Sequence, residues 1–253
     1  MAVKIEVCLS PADYQARAAT GFGDAVCVVF DVLRATSVMV AGLANGAAGF
    51  VPAAHISEAL ALRLRHPDAL LAGERDGLRI RALQSGGVEF DLGNSPREYT
   101  RQRVAGRTII STTTNGTRAL RACAAAHRVA VSCLLNLRAT ADWLAKQSTE
   151  RVILVCAGTA EFPALEDIIG AGALCELLVT RCAGAELLDS AETASRVWVE
   201  ARQDLFGAIS GSQNGRRLMA NAELWQDVEF CSRRDAHDLL ALLGADGVVR
   251  RAG

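Results

Sequence analysis

Carboxylates beside guanidiniums, and small hydroxyl residues beside glycine, recur in this sequence just after short apolar runs. The run 25–30 leads into Asp31-Val32-Leu33-Arg34-Ala35-Thr36-Ser37, and 70–72 leads into Gly73-Glu74-Arg75-Asp76-Gly77. Leu92-Gly93-Asn94-Ser95-Pro96 is a turn that opens a helix. The run 107–110 leads into Ser111-Thr112-Thr113-Thr114-Asn115-Gly116-Thr117. The run 152–155 leads into Cys156-Ala157-Gly158-Thr159, and Glu166-Asp167 then opens a helix carrying Gly170 and Gly172.

The hydroxyl-rich loop is the sharpest of these. Placed between a strand and a helix, Thr113, Thr114, Asn115 and Gly116 offer backbone N–H groups, hydroxyl donors and the positive end of a helix dipole, which suit a phosphate group. A simple N-cap is the competing reading, because threonine and asparagine favour caps. The spacing is not that of a Walker loop. Asp31, Glu74, Glu166 and Asp167, if grouped in space, provide hard oxygen ligands for Mg²⁺; singly, each could serve as a cap or a helix-dipole partner. Arg34, Arg75, Arg79, Arg97 and Arg118 could clamp anions in bidentate fashion, against the alternative of solvated surface arginines. His55, His66, His127 and His237 stand in ordinary positions and receive no role. Asp31-Val32-Leu33 lacks the second aspartate of a D-x-D nucleophile, Arg65-His66-Pro67 lacks the glycine of an R-H-G loop, and Cys175 with Arg181 frames an apolar helix face; all are chance matches.

Strands are predicted at 3–8, 25–30, 48–52, 69–72, 107–111, 128–133, 151–156 and 246–250, with helical spacing between them. Ser10-Pro11-x-Asp13 reads as a cap, a first-turn proline and an acid in order, and Ser95-Pro96-Arg97-Glu98 as a capping box. Asn45-Gly46 and Ala183-Gly184 read as helix stops. The stretch 166–234 reads as mostly helical. Alternating strands and helices predict a layered α/β/α fold with a largely parallel or mixed sheet and a helix-rich second half. Residues 1–253 read as a single domain, with a possible subdivision near 150. In open α/β sheets ligands bind beyond the carboxyl ends of strands, which is where these residues lie.

Composition excludes several classes. With 27 basic and 28 acidic residues the net charge is −1, which gives no support for nucleic acid or a polybasic membrane contact. Lys4 and Lys146 are the sole lysines, so arginine supplies the rest of the cations. Apolar residues make up 51% of the chain, enough for a large core. The apolar runs are strand-length, far below the roughly 20 residues of a membrane-crossing helix. Met1 to Val7 alternates apolar and charged residues, unlike a secretory signal. Eight scattered cysteines without a C-x-x-C pair read as reduced core thiols of a cytoplasmic protein.

Taken together, the five turns resemble the 2-phosphosulfolactate phosphatase family. The matching pieces run in order from about 30 to 175, and Asp227 ahead of Phe230-Cys231 extends the likeness into the tail. The C terminus, Val248-Val249-Arg250-Arg251-Ala252-Gly253, departs from the family pattern in lacking proline. The resemblance implies Mg²⁺-dependent hydrolysis of (2R)-2-phospho-3-sulfolactate to sulfolactate and phosphate, a step of coenzyme M biosynthesis in some organisms. It implies metal ligation by a subset of Asp31, Glu74, Glu166 and Asp167. Thr113, Thr114, Asn115, Gly116, Asn94 and Ser95 would then hold the small anionic phosphate ester, while Asp31, Arg34 and Arg75 act in catalysis. Attack by Asp31 itself and attack by activated water both stay open. The rival readings are an Mg²⁺ phosphatase for another phosphorylated 2-hydroxy acid and a noncatalytic anion-binding protein. Apolar helices in the second half point to a homodimer.

Overall fold

The computed structural model describes residues 3–253, so Met1 and Ala2 of the N-terminal reading lie outside the described residues. The strands are β1 Lys4–Cys8, β2 Val26–Phe30, β3 Gly49–Pro52, β4 Leu70–Arg75, β5 Leu78–Arg79, β6 Thr108–Thr112, β7 Arg128–Ser132, β8 Arg151–Cys156, β9 Glu186–Leu187, β10 Ala241–Leu243 and β11 Val249–Arg251. In the first half the helices are α1 Pro11–Thr20, α2 Ala35–Ala44, α3 Ile56–Arg65, α4 Ala82–Ser85, α5 Arg101–Val104, α6 Gly116–Cys123 and α7 Leu137–Leu144. In the second half they are α8 Leu165–Arg181, α9 Asp189–Ala201, α10 Leu205–Ser210, α11 Gln213–Met219 and α12 Trp225–Cys231.

All the strands join one mixed sheet, in the order β5-β4-β6-β3-β11-β10-β7-β2-β8-β1-β9. This is the α/β fold with a mixed sheet that the alternation predicts. β4, β6 and β3 form one parallel block. β7, β2, β8, β1 and β9 form the other. The hairpin β10–β11 joins them through antiparallel pairs with β7 and β3. The C terminus therefore closes the gap between the blocks without a proline. Turn residues Asp246 and Gly247 shift this last strand three positions past its predicted start, to Val249. β5, β9 and β10 were not anticipated, because strands of two or three residues carry no readable periodicity.

Every residue of β2 is buried, and β8 is buried from Val152 onward, as expected of central parallel strands covered on both faces. α8 packs against α9 at close range: a β-carbon on Gly172 would lie 2.1 Å from the Ala194 carbonyl oxygen. Ser10 caps α1 with a complete capping box, and α2 stops at Asn45-Gly46 with Gly46 at φ 89°. Ser95 departs from its expected role. Pro96–Glu98 forms only a 3₁₀ turn without a side-chain cap, since the Ser95 hydroxyl donates to Asp227 Oδ1 at 2.6 Å. The eight cysteines are unpaired and, apart from half-buried Cys182, buried. Among the described residues no helix is long and apolar enough to cross a membrane.

Candidate active site

Asp31 follows β2 directly, and its buried carboxylate sits between two helix starts. Its Oδ1 accepts the Ala35 N–H at 2.9 Å, at the first turn of α2. Thr36 Oγ1 fixes the same turn, accepting from the Asp31 N–H at 3.0 Å and donating to the Asp31 carbonyl at 2.9 Å. Oδ2 faces the start of α6, where a β-carbon on Gly116 would come within 2.8 Å of it. Glycine is required there by close approach. Burial pushes the Asp31 carboxyl up to about 6; the Ala35 N–H opposes this, while the charges of Glu74 and Glu166 add to it. The peptide bond Leu33–Arg34 that follows is cis.

The hydroxyl loop that leads into α6 is itself tied down. Thr113 Oγ1 accepts the Thr117 N–H at 3.2 Å from two positions before the N-cap, while the N-cap residue itself, Asn115, makes no side-chain cap, so the simple N-cap reading does not hold. Thr114 donates both its N–H and its hydroxyl to Glu74 Oε1, each at 2.8 Å. Asn115 Oδ1 accepts the Ala160 N–H at 3.2 Å, holding the loop after β8 against the loop after β6.

Glu74 ends β4, where the β4–β5 hairpin turns at Asp76-Gly77. Both turn residues have positive φ, 55° and 79°, a two-residue turn matched to strand twist. The turn points into the site: the Gly77 N–H donates to Glu74 Oε2 at 2.8 Å, and the Gly77 carbonyl accepts Arg34 Nη2 at 2.6 Å. Arg34 Nη1 also donates to Asp227 Oδ2 at 2.7 Å, and both groups are buried. Asp227 Oδ1 accepts from Ser95 Oγ at 2.6 Å and from Arg97 Nε at 2.8 Å. Arg34 is thus neutralised from below. Arg75 turns away, with Nη1 donating to the Glu74 carbonyl at 2.6 Å and Nη2 to Thr112 Oγ1 at 3.1 Å.

The two acids at the start of α8 take different parts. Asp167 Oδ1 accepts the Val32 N–H at 2.8 Å and Oδ2 the Gly158 N–H at 3.1 Å, so this carboxylate staples the loops after β2 and β8 together. Burial, then the charges of Asp31 and Glu166, drive its proton affinity well above the usual carboxylate range. Glu166 Oε1 accepts from Asn214 Nδ2 at 2.6 Å, while its Oε2 is buried with no partner.

Asp31, Arg34, Glu74, Asn94, Thr113, Thr114 and Asn115 line one cavity of about 200 Å³, a volume for a small ligand. Arg75 and Ser95 line an adjoining cavity on the far side of the hairpin, which also reaches Arg34 and Asn94. Asn214 and Arg217 of α11 complete the central cavity and were not singled out from the sequence. They lie three residues apart on one helix face, a spacing that a solvated helix shows equally well.

Among the described residues, no three histidine, cysteine or acidic side chains are grouped to hold a metal ion by themselves. Mg²⁺ asks for less, namely one or two carboxylates with substrate oxygens and water completing the octahedron. The orphaned Glu166 Oε2, with the charge of Asp31 beside it, fits that demand. Glu74 and Asp167 have both oxygens engaged by protein donors.

Comparison with known proteins gives one result throughout. The sequence model of the family described as 2-phosphosulpholactate phosphatase matches residues 10–245. The chain is 38% identical over 225 residues, 88% of its length and 89% of the relative's, to a protein of Caldanaerobacter subterraneus subsp. tengcongensis. It is 35% identical over 219 residues, 85% of its length and 87% of the relative's, to a protein of Caldicellulosiruptor saccharolyticus. A protein of Thermotoga petrophila is 38% identical over 208 residues, 82% of this chain and 84% of the relative. Each of these relatives carries the name "Probable 2-phosphosulfolactate phosphatase".

Proposed function

The chain belongs to the 2-phosphosulpholactate phosphatase family, and from that premise we propose how its own residues hydrolyse 2-phosphosulfolactate to sulfolactate and phosphate. It is a phosphoric monoester hydrolase. One observation carries the mechanism: a buried carboxylate, Asp31 Oδ2, lies against the N-terminus of α6 in the lining of the cavity. Helix N-termini receive phosphoryl oxygens, and a carboxylate beside one stands within reach of a water that attacks the bound phosphoryl group.

In this reading, the start of α6 and the Thr113-Thr114-Asn115 loop hold the phosphoryl oxygens. Asp31 takes the proton of the attacking water through Oδ2 while Oδ1 stays fixed by the Ala35 N–H. The new P–O bond forms as the ester P–O bond breaks, and the leaving alkoxide takes a proton from solvent water to become the sulfolactate hydroxyl. Arg34, locked by Asp227, places positive charge beside the transferring group without side-chain freedom to lose. Glu166 Oε2, with Asp31 adjacent, would hold Mg²⁺, which when bound neutralises phosphoryl charge and keeps Asp31 ionised at neutral pH. Asp167 and Glu74 position the loops. Trapping a radiolabelled phosphoenzyme would overturn the base role and make Asp31 the nucleophile; inversion at a chiral phosphate supports direct attack by water.

The test of the substrate is phosphate release from phosphosulfolactate, phospholactate and phosphoglycolate, each with Mg²⁺ and with EDTA. Mg²⁺-dependent release that prefers phosphosulfolactate is expected. Equal rates on all three would replace it with a general phosphatase for phosphorylated 2-hydroxy acids. Silence of the folded protein on all three, with anion binding unaffected by Mg²⁺, would favour a binding protein. We extend the reading to a cytoplasmic homodimer serving coenzyme M biosynthesis. Eight unpaired thiols suit a reducing compartment, and exposed Val179 and Val199 on α8 and α9 offer apolar surface for a second copy.

A further inference from the structure

We propose that Arg217 is the specificity-determining residue of this site, receiving one of the two acid groups that the substrate carries besides its phosphate. The inference rests on the phosphatase reading above and assigns a residue to the part of the substrate that reading leaves unheld. The substrate carries two oxyanions besides its phosphate, and an oxyanion without a cation is costly to enclose. Three of the residues lining the cavity, Asp31, Glu74 and Asp76, are themselves acids, which sharpens the need. Two guanidiniums line it, Arg34 and Arg217. Both come close to one point: a β-carbon on Gly77 would lie 3.8 Å from Arg34 Nη2 and 3.9 Å from Arg217 Nη2.

The two differ in what already occupies them. Arg34 is buried, ion-paired to Asp227 and hydrogen-bonded to the Gly77 carbonyl. Arg217 is exposed at the cavity mouth, and among the described residues it makes no ion pair and no side-chain hydrogen bond within the chain. Its charge is free for a ligand, and a guanidinium fork matches the paired oxygens of a carboxylate or sulfonate. Its place is nonetheless fixed. Ser212 Oγ caps α11 through the Gly215 N–H at 3.0 Å, and Asn214, one turn before Arg217 on the same face, binds Glu166 at 2.6 Å. The phosphate donors come from a different element, the start of α6, so the two ends of the substrate are read by separate walls.

The test uses the full chain and its Arg217→Ala and Arg217→Lys variants. The readouts are kcat and KM for phosphosulfolactate and calorimetric affinities for sulfolactate and for inorganic phosphate, all with Mg²⁺. Since Arg217 has no partner within the chain, R217A is expected to melt with the wild type. R217A is expected to raise KM and to weaken sulfolactate about 10- to 100-fold, the range of one charge-assisted hydrogen-bonded pair, with phosphate affinity held. R217K recovers part of the loss, because charge returns without the fork. Phospholactate separates the two acids: an equal KM rise on it assigns Arg217 to the carboxylate, and an unchanged KM assigns it to the sulfonate. Unchanged sulfolactate affinity in R217A, or an equal loss for phosphate, overturns the assignment while the phosphatase reading stands. A wild-type chain that releases no phosphate from phosphosulfolactate sinks that reading, and this inference with it.

Discussion

Asp31 shows what a single carboxylate gains and loses by being placed for chemistry. Its proton affinity in the folded chain is raised from 3.8 to about 6, so its protonated form is the one the fold favours. The stability this gives is fully present below about pH 4 and is lost as pH rises through about 6. In metal-free protein, Asp31→Asn is therefore expected to be more stable than wild type above pH 6, on the order of 1–3 kcal/mol. The gap closes below pH 4, and phosphatase activity is lost. Melting curves across that range check it, and a gap that widens on acidification would contradict the assigned environment. Asp227 is the opposite case, a buried carboxylate whose neighbours complete it. It holds Arg34, Arg97 and Ser95 at once. Asp227→Ala leaves the Arg34 guanidinium buried and unpaired, an expected loss of about 3–5 kcal/mol in urea unfolding. An effect below about 1 kcal/mol would mean that Arg34 finds water or another partner.

The elements place these groups by approaching each other closely. α8 carries Glu166 and Asp167 at its start and Gly172 two turns later, where α9 crosses. A methyl group on Gly172 would sit 2.1 Å from the Ala194 carbonyl and 2.8 Å from the Trp198 β-carbon, and backbone cannot yield as a flexible side chain does. Gly172→Ala is expected to cost about 1–3 kcal/mol by forcing α8 and α9 apart. Chemical denaturation measures it, and an unchanged midpoint would show that α8 and α9 part at no cost. The β4–β5 hairpin acts at the same scale. Its left-handed Asp76-Gly77 turn presents one N–H to Glu74 and one carbonyl to Arg34, so two residues of turn geometry orient a carboxylate and a guanidinium of the site.

Across the whole molecule, chain order and sheet order are interleaved. β8, which begins at Arg151, lies between β1 and β2, and the C-terminal hairpin lies between β3 and β7. A cut near residue 150 removes an inner strand from the first half and leaves the second without the strands on either side of it. The full chain is therefore expected to unfold in one transition, with fluorescence and far-ultraviolet dichroism coinciding, and fragments 1–150 and 151–253 each to be unfolded alone. A fragment that melts cooperatively by itself would show an independent unit.

Much of this was legible from residues close in sequence. The strand positions, the Ser10 capping box, the stop at Asn45-Gly46 and the strand-end turns follow from apolar periodicity, side-chain caps and positive-φ glycine, which act over a few residues. The family likeness was legible for the same reason, since its motifs are those turns. What the tertiary structure decided is which donors each turn meets. Ser95 reads locally as a cap, yet its hydroxyl goes to Asp227, 132 positions away. Glu166 and Asp167 are indistinguishable as neighbours in a helix's first turn, yet one keeps a bare oxygen and the other is closed off by two backbone N–H groups. Arg217 reads as one surface arginine among 25 until α11 is folded over the Gly77 turn. Local sequence sets dihedral preference and polarity, whereas the partner of a buried charge is set by which distant backbone is packed against it.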